Sequence, residues 1–229
     1  MTTDLEINPL RSEALDRLNS CETTYTDTYY LVLKYLFAAL RTSATFAKGD
    51  LLDIGCGNKP YRSIFNVKRY LGCDIVQSSQ SEADFLCDSL KIAAVDESFD
   101  TVISTQVIEH VTEPQILCSE AFRLLRKGGI FIVSGPMYWH LHEEPYDFRR
   151  FTKHGFQYLL EKAGFEVIEI LPNGGKWALL GQVIIHTIEG TRFRRGILIA
   201  IINRLFEWLD LKWFDDVSTS NYVAIARKA

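Results

Sequence analysis

Short apolar runs alternate with stretches of helical spacing along most of this chain. A run of four to seven residues fits a buried strand, and apolar residues recurring every three or four positions indicate a helix. The predicted strands are 50–54, 69–73, 83–86, 99–104, 130–134, 165–171 and 222–226, and the main predicted helices are 27–40, 59–65, 114–125 and 152–163. Such alternation predicts βαβ units and a largely parallel sheet.

Three segments depart from this regular pattern. Residues 77–82 are polar and too short for a full crossover helix, and 135–152 predict a long loop rich in aromatic and ionisable side chains. Residues 172–214 predict an insertion with two amphipathic helical stretches. We therefore expect a single domain over 1–229, divided into a helical cap (1–44), an α/β core (45–171), the helical insertion (172–215) and a final strand (220–229).

Local signals set the ends of two predicted helices. Pro114 suits a first turn, and Gly128-Gly129 are expected to end that helix. Thr152 is expected to cap the helix that Gly164 closes.

Composition and charge narrow the class of protein. The chain has 229 residues, is 47% hydrophobic and carries a net charge of −4. A general nucleic-acid binder needs a basic surface, so we expect no nucleic-acid partner. Five cysteines without zinc-site spacing argue against a disulfide framework or a zinc site. The N-terminal residues lack an apolar signal segment and the longest apolar run, Gly196 to Ile202, is too short for a membrane span, so we expect a cytoplasmic protein.

The strongest local motif follows the first predicted strand. Gly55-Cys56-Gly57 precedes a predicted helix, an arrangement that brings a ligand close to backbone N–H groups. Asp74, at the tip of the next strand, is placed to accept bonds from ribose hydroxyls. A dinucleotide site remains open on this evidence alone, although Pro60 stands where that motif has its third glycine, and Asp53 and Asp88 add acidic groups around it.

These motifs, taken in order, resemble the class I S-adenosylmethionine-dependent methyltransferase superfamily, in its small-molecule group. They are DIGCG at 53–57, Asp74, Asp88, FDTVIS at 99–104, VIEHV at 107–111 and RLLRKGG at 123–129. The resemblance covers roughly residues 45–170 and the final strand. It implies a Rossmann-like doubly wound sheet of seven strands with the last one antiparallel. It also implies S-adenosylmethionine as cofactor and S-adenosylhomocysteine as product.

The resemblance also assigns roles to residues. Gly55 and Gly57 would lie under the methionine part, Asp53 would hold its amino group, and Asp74 would take the ribose. The complete predicted cofactor set is Asp53, Gly55, Cys56, Gly57, Asp74, Ile75, Asp88, Ser89, Thr105 and Gln106.

The loop after the fifth strand is the predicted acceptor side, because ligands of doubly wound sheets sit at the carboxyl ends of strands. His142 is the candidate general base, since its ordinary pKa suits deprotonation near neutral pH, and Asp147 is the candidate that orients it. Candidate substrate contacts are Tyr138, His140, Glu143 and Arg149. A purely structural network in this loop is the alternative. His140 and His142 could form a metal pair with Glu143 or Glu144, but the ligand pattern of metal-dependent methyltransferases is not evident, so we predict no metal.

The same loop resembles that of bacterial methyltransferases of surface-glycan pathways, through a His-x-x-Pro-x-Asp-Phe-x-Arg-Phe-Thr pattern at 142–152. This implies an O- or N-methyltransferase for a sugar or sugar-linked small molecule. An amphiphilic quinone, polyketide or lipid-linked acceptor is the alternative. Two alternatives lie outside the methyltransferases: a NAD-dependent oxidoreductase and a non-catalytic cofactor-binding protein. The apolar stretches within 177–214 leave three interpretations open: a lid over a pocket, a homodimer contact, or contact with a membrane surface.

Overall fold

A computed structural model describes residues 18–78, 80–188 and 195–229 of the chain. The first part of the predicted helical cap (1–17) and the middle of the predicted insertion (189–194) lie outside the described residues.

Seven strands form one sheet. They are β1 (Asp50–Ile54), β2 (Arg69–Asp74), β3 (Phe85–Leu86), β4 (Phe99–Thr105), β5 (Leu125–Pro136), β6 (Phe165–Pro172) and β7 (Asn221–Lys228). Their order across the sheet is β3-β2-β1-β4-β5-β7-β6. The first five are parallel, and β7 runs antiparallel to both β5 and β6. The predicted Rossmann-like sheet with an antiparallel last strand is therefore confirmed.

The described helices are α1 (Tyr30–Ala44), α2 (Pro114–Leu124), α3 (Lys153–Lys162), α4 (Lys176–Ile188) and α5 (Arg195–Lys212), with 3₁₀ turns at Arg62–Ile64 and Ile108–His110. As predicted, the Thr152 hydroxyl caps α3 by accepting a bond from the Gly155 N–H at 3.0 Å.

The helix predicted over 59–65 is wrong, since only the 3₁₀ turn Arg62–Ile64 forms there. Gly57 and Lys59 both adopt left-handed φ values, 49° and 51°, which an α-helix cannot include. The Lys59 ammonium is held by the Asp84 carboxylate at 2.7 Å. A long-range ion pair therefore stabilises a turn that the local pattern did not indicate.

Gly128 and Gly129 do not end a helix, which corrects a second prediction. The helix α2 stops at Leu124, and β5 begins at once because Leu125 pairs with Phe99 on β4. Gly128 has φ of 74° and lies where the β4–β5 register is irregular. The glycines thus serve a strand irregularity, a place where a left-handed residue is needed.

Two buried apolar layers hold helices against the sheet. One layer is centred on Phe131 and Phe156. The other is centred on Phe37 of α1 with Leu51 and Ile132 of the sheet. Helices cover both faces of the sheet, so the carboxyl ends of the parallel strands are the place left for ligands.

The insertion packs on α1 as a helical pair. A Cβ on Gly181 of α4 would lie only 2.6 Å from the Cβ of Phe206, so the close helix contact requires glycine. The buried Asp210 carboxylate accepts bonds from the Gly175 and Ala178 N–H groups at 3.0 and 3.1 Å and so stabilises the start of α4. Among the described residues, the helices are too short or too polar to cross a bilayer.

Candidate active site

The turn after β1 has the geometry that the glycine motif predicted. Gly55 and Gly57 have φ of 73° and 49°, and a Cβ on Gly55 would lie 2.3 Å from Cγ2 of Val107. The Gly55 and Cys56 N–H groups donate to the Cys73 carbonyl at 2.8 and 3.1 Å, which ties the turn to the end of β2. Glycine is needed here for backbone conformation and for space.

Asp74 fixes the same turn from the next strand. Its Oδ2 accepts a bond from the Gly57 N–H at 2.9 Å, and its Oδ1 accepts one from the Ile75 N–H at 2.7 Å. An ionised carboxylate only accepts hydrogen bonds, so a ligand hydroxyl would donate to Asp74. The sheet register places this carboxylate beside the glycine turn, as the prediction requires.

Two cavities meet at the carboxyl ends of β1 and β2. The smaller, of about 180 Å³, is lined by residues that include Ile75, Asp88 and Ser89. The larger, of about 340 Å³, is lined by residues that include Cys56, Gly57, Thr105 and Gln106. Both cavities share Gly55, Asp74, Val107 and His110. Nine of the ten predicted cofactor residues therefore line one continuous region.

Asp53 is the exception. Its side chain is buried, and its Oδ2 accepts a bond from the Tyr70 hydroxyl. Burial raises the pKa of this carboxyl to about 7, and the Tyr70 hydroxyl opposes the rise. Asp53 is absent from the lining of both cavities, so a direct contact with the cofactor's amino group stays a prediction.

The region suits S-adenosylmethionine chemically. An acidic side chain at the β2 end matches a ribose diol, and the neighbouring cavity with Asp88 and Ser89 matches an adenine edge. Thr105 lines the larger cavity, and its buried hydroxyl has no hydrogen-bond partner among the described residues. The residues present therefore fit the cofactor in two connected compartments.

The loop between β5 and α3 is held by Arg150, a residue to which the sequence analysis gave no role. The Arg150 guanidinium bonds both oxygens of Asp147, and Nη2 lies 3.0 Å from the His140 carbonyl and 3.2 Å from that of Trp139. The Arg150 contact is the main reason that the pKa of Asp147 falls to about 2. The pattern at 142–152 has its arginine at position 150, but the predicted substrate role went to the neighbouring Arg149.

His142 and Asp147 meet as predicted from the sequence. Nδ1 of His142 lies 3.2 Å from Oδ2 of Asp147 and 3.3 Å from the His140 carbonyl. Both neighbours only accept hydrogen bonds, so Nδ1 carries the proton and Nε2 keeps the lone pair. Burial, with the nearby His110, lowers the pKa of His142, and its ring lines the larger cavity. Its neutral form is therefore a proton acceptor.

A second ionisable pair lies beside it. Nδ1 of His110 lies 2.9 Å from the Tyr146 carbonyl, and its Nε2 is 3.9 Å from carboxylate oxygens of both Glu109 and Glu143. Burial raises the pKa of Glu109 to about 8. One ligand atom from each of Glu109, His110 and His142 lies within 4.8 Å of the others, so these three residues could hold a cation. The absence of a metal stays a prediction.

The structure separates the four predicted substrate residues. Glu143 lines the larger cavity. Tyr138, His140 and Arg149 are absent from its lining. His140 instead contacts His186 of α4, with 3.3 Å between the two Nδ1 atoms, and Arg149 donates to the Val111 carbonyl at 3.0 Å. Their roles as direct substrate contacts stay predictions, because the loop uses two of them to hold its own position.

Sequence reasoning missed an apolar wall opposite these groups. The wall comes from α1 and the start of the loop, and its residues are Tyr29, Val32, Leu33, Leu36 and Trp139. The apolar spacing over 27–40 predicted only a helix, because a helix side that faces a cavity has the same spacing as one that faces the core. The larger cavity therefore has one apolar and one ionisable side.

Comparisons with known proteins agree with this geometry. The family described as "Methyltransferase domain" matches residues 52–133. A tRNA (carboxymethyluridine(34)-5-O)-methyltransferase of Xenopus tropicalis is 34% identical over 68% of the chain and 25% of its own length. A probable S-adenosylmethionine-dependent methyltransferase of Mycolicibacterium smegmatis is 31% identical over 53% of the chain and 54% of its own length. The chain thus spans about a quarter and about half of these two relatives.

Solved structures support the fold. The crystal structure of the [4+2]-cyclase SpnF superimposes with a TM-score of 0.59 at 19% identity, covering 96% of this chain and 91% of that one. The family match shows a methyltransferase domain at residues 52–133, and the seven-stranded sheet has the topology of the class I fold. The cofactor of this class is S-adenosylmethionine.

Proposed function

We propose that this chain transfers a methyl group from S-adenosylmethionine to a hydroxyl oxygen of a small molecule that has an apolar part. The carrying observation is the larger cavity, where the glycine turn and Asp74 border the His142 ring on one side and the α1 wall on the other. A hydroxyl acceptor suits this arrangement because it needs a base, whereas an amine can react as its free base.

Alignment and proton removal are what the protein contributes to such a reaction. The bound cofactor supplies an electrophilic methyl group and leaves as S-adenosylhomocysteine. The acceptor oxygen forms a bond to the methyl carbon as the sulfur–carbon bond breaks, and the sulfur keeps the electron pair. His142 Nε2 takes the hydroxyl proton while Asp147 steadies the resulting imidazolium. Arg150 holds Asp147 in place as a positioning residue.

The apolar wall bears on the acceptor class. Tyr29, Leu33, Leu36 and Trp139 offer a ring or chain an apolar surface and few hydrogen bonds. A bare sugar would leave many of its hydroxyls unpaired there. The wall therefore favours an amphiphilic acceptor over a free sugar, and a sugar carried on an apolar group satisfies both sides. We also propose, from the sequence alone, that the acceptor belongs to a glycan pathway and that the protein is cytoplasmic.

The tRNA-modifying relative makes RNA a second acceptor class to test. The net charge of −4 argues against it, because neutralising phosphates requires a basic surface.

A label-transfer experiment tests the proposal. Purified protein is incubated with S-adenosylmethionine labelled in the methyl group and with three acceptor pools: polyprenyl-linked sugars and quinones, nucleotide sugars, and total tRNA. We expect label in the first pool and none in tRNA. Label only in tRNA would overturn the small-molecule proposal.

Titration with S-adenosylhomocysteine and with NAD separates the other classes. We expect binding of the first and none of the second, which would exclude an oxidoreductase. Cofactor binding without label transfer to any pool would instead favour a non-catalytic binding protein.

A further inference from the structure

The proposed reaction leaves the exposed apolar face of α5 unused. Six apolar side chains of this helix are between 38% and 69% exposed: Ile197, Leu198, Ile201, Leu205, Trp208 and Leu211. At 3.6 residues per turn they fall within an arc of about 140°, so they share one face. Trp213 and Phe214 extend the exposed apolar surface beyond the helix end. We call α5 residues 197–212 on this arc, with Trp213 and Phe214, the α5 face.

The acidic and the exposed basic side chains of α5 lie on different sides of the helix. Its two acidic residues are buried: Glu207 accepts bonds from the Tyr25 and Tyr30 hydroxyls and pairs with Lys34, and Asp210 caps α4. Its exposed basic residues, Arg204 and Lys212, fall within the same arc as the apolar side chains. The α5 face is therefore apolar and positive, with the helix's carboxylates turned into the protein.

At the end of α5, a lysine ammonium lies next to two tryptophan rings. The Lys212 ammonium lies 5.0 Å from the Trp208 ring centre and 4.5 Å from that of Trp213. Indole rings favour the level where lipid headgroups meet acyl chains, and a lysine stem can carry its charge to the headgroups from there.

We infer that the α5 face binds an anionic lipid surface, with the helix lying in the plane of that surface. Apolar side chains enter the acyl boundary while Arg204 and Lys212 meet acidic headgroups. The other candidate occupant, a second copy of the chain, suits the face less well. A two-fold contact would set this positive face against itself, with both α5 carboxylates buried and committed elsewhere.

Vesicle co-sedimentation of the full chain tests the inference. The probes are phosphatidylcholine vesicles containing about a third phosphatidylserine, and phosphatidylcholine vesicles alone. We expect clear binding to the first and much weaker binding to the second. Each exposed basic residue favours an anionic surface by roughly five-fold, so Arg204→Gln with Lys212→Gln should weaken binding roughly 25-fold.

Matched variants separate the face from general apolar exposure. Trp208→Ser with Leu211→Ser should reduce vesicle binding by roughly ten-fold or more. Tyr158→Ser, which changes an exposed aromatic side chain on α3, should leave binding unchanged. All variants should keep the wild-type affinity for S-adenosylhomocysteine, which shows that they fold.

Three results would overturn the inference. The first is wild-type protein that stays in the supernatant with anionic vesicles. The second is the same loss of binding in Tyr158→Ser as in Trp208→Ser with Leu211→Ser. The third is a dimer in light scattering that Trp208→Ser with Leu211→Ser dissociates, without vesicle binding, which would assign the face to a second copy.

Discussion

Replacing His142 with alanine removes the proton acceptor of the proposed reaction. Because the pKa of this ring lies below its ordinary value of 6.5, at least roughly nine-tenths of it is neutral at pH 7.5. The substitution therefore removes an active base, and turnover should fall by roughly 10²–10⁴-fold. The wild-type pH–rate profile should rise through a midpoint below 6.5 and then level off, and the variant should lose that limb.

The assay is label transfer to the acceptor identified by the pool experiment, with calorimetric binding of S-adenosylhomocysteine as the control. His142 lies on the acceptor side of the larger cavity, so cofactor affinity should stay within about two-fold of wild type. A matched variant is His140→Ala, which changes the exposed neighbour that contacts His186. It should retain most of the turnover number, and any change should fall on the acceptor KM.

Two results would refute the assignment of His142 as base. Near-normal turnover in the alanine variant would show that alignment alone is sufficient, or that His110 takes the proton. Activity lost to a chelator and restored by a divalent cation would show that Glu109, His110 and His142 hold a metal.

The remaining predictions concern three carboxylates. Asp74→Ala should weaken S-adenosylhomocysteine binding by roughly 30-fold in calorimetry, since a charge-assisted ribose contact is worth about 2 kcal/mol; unchanged affinity in folded protein would contradict the ribose site. Asp147, with its pKa lowered from 3.8 to about 2, should contribute about 2 kcal/mol of stability that is present above pH 3.8 and disappears as the pH falls to 2. In urea titrations the gap between wild type and Asp147→Asn should narrow over that window, and a constant gap would contradict the lowered pKa. Asp210→Ala should lower the free energy of unfolding by about 2–3 kcal/mol through the two N–H groups left buried at the start of α4; an unchanged urea midpoint would contradict that capping role.

Much of the cofactor side could be predicted because its determinants are local. A glycine turn after a strand and an acid at the next strand's tip are encoded within a few residues, and parallel pairing then brings the tips together. Prediction failed where a distant partner decided the conformation. The Lys59–Asp84 ion pair and the Phe99–Leu125 strand pairing both override local helix signals.

The acceptor side was harder to predict because its contacts are long-range and its patterns ambiguous. His142 and Asp147 stand five residues apart, and a shared loop brought them together as expected. Arg150 holds that loop through the Asp147 carboxylate and through the carbonyls of Trp139 and His140. The bonds to backbone carbonyls cannot be predicted from side-chain identity. The spacing of apolar residues on α1 is likewise the same whether that side of the helix faces the core or a cavity.

The cofactor side and the acceptor side of the site should respond differently to substitutions. The cofactor compartments are formed by strand ends whose positions the sheet register sets, so changes there disturb the fold as well as binding. The acceptor wall is formed by α1 and by a loop that α4 meets through His186 at His140 and Trp139. A change in the insertion can therefore reshape the loop while leaving the sheet intact. Substitutions at His186 should accordingly alter acceptor KM before they alter cofactor affinity, whichever acceptor the chain uses.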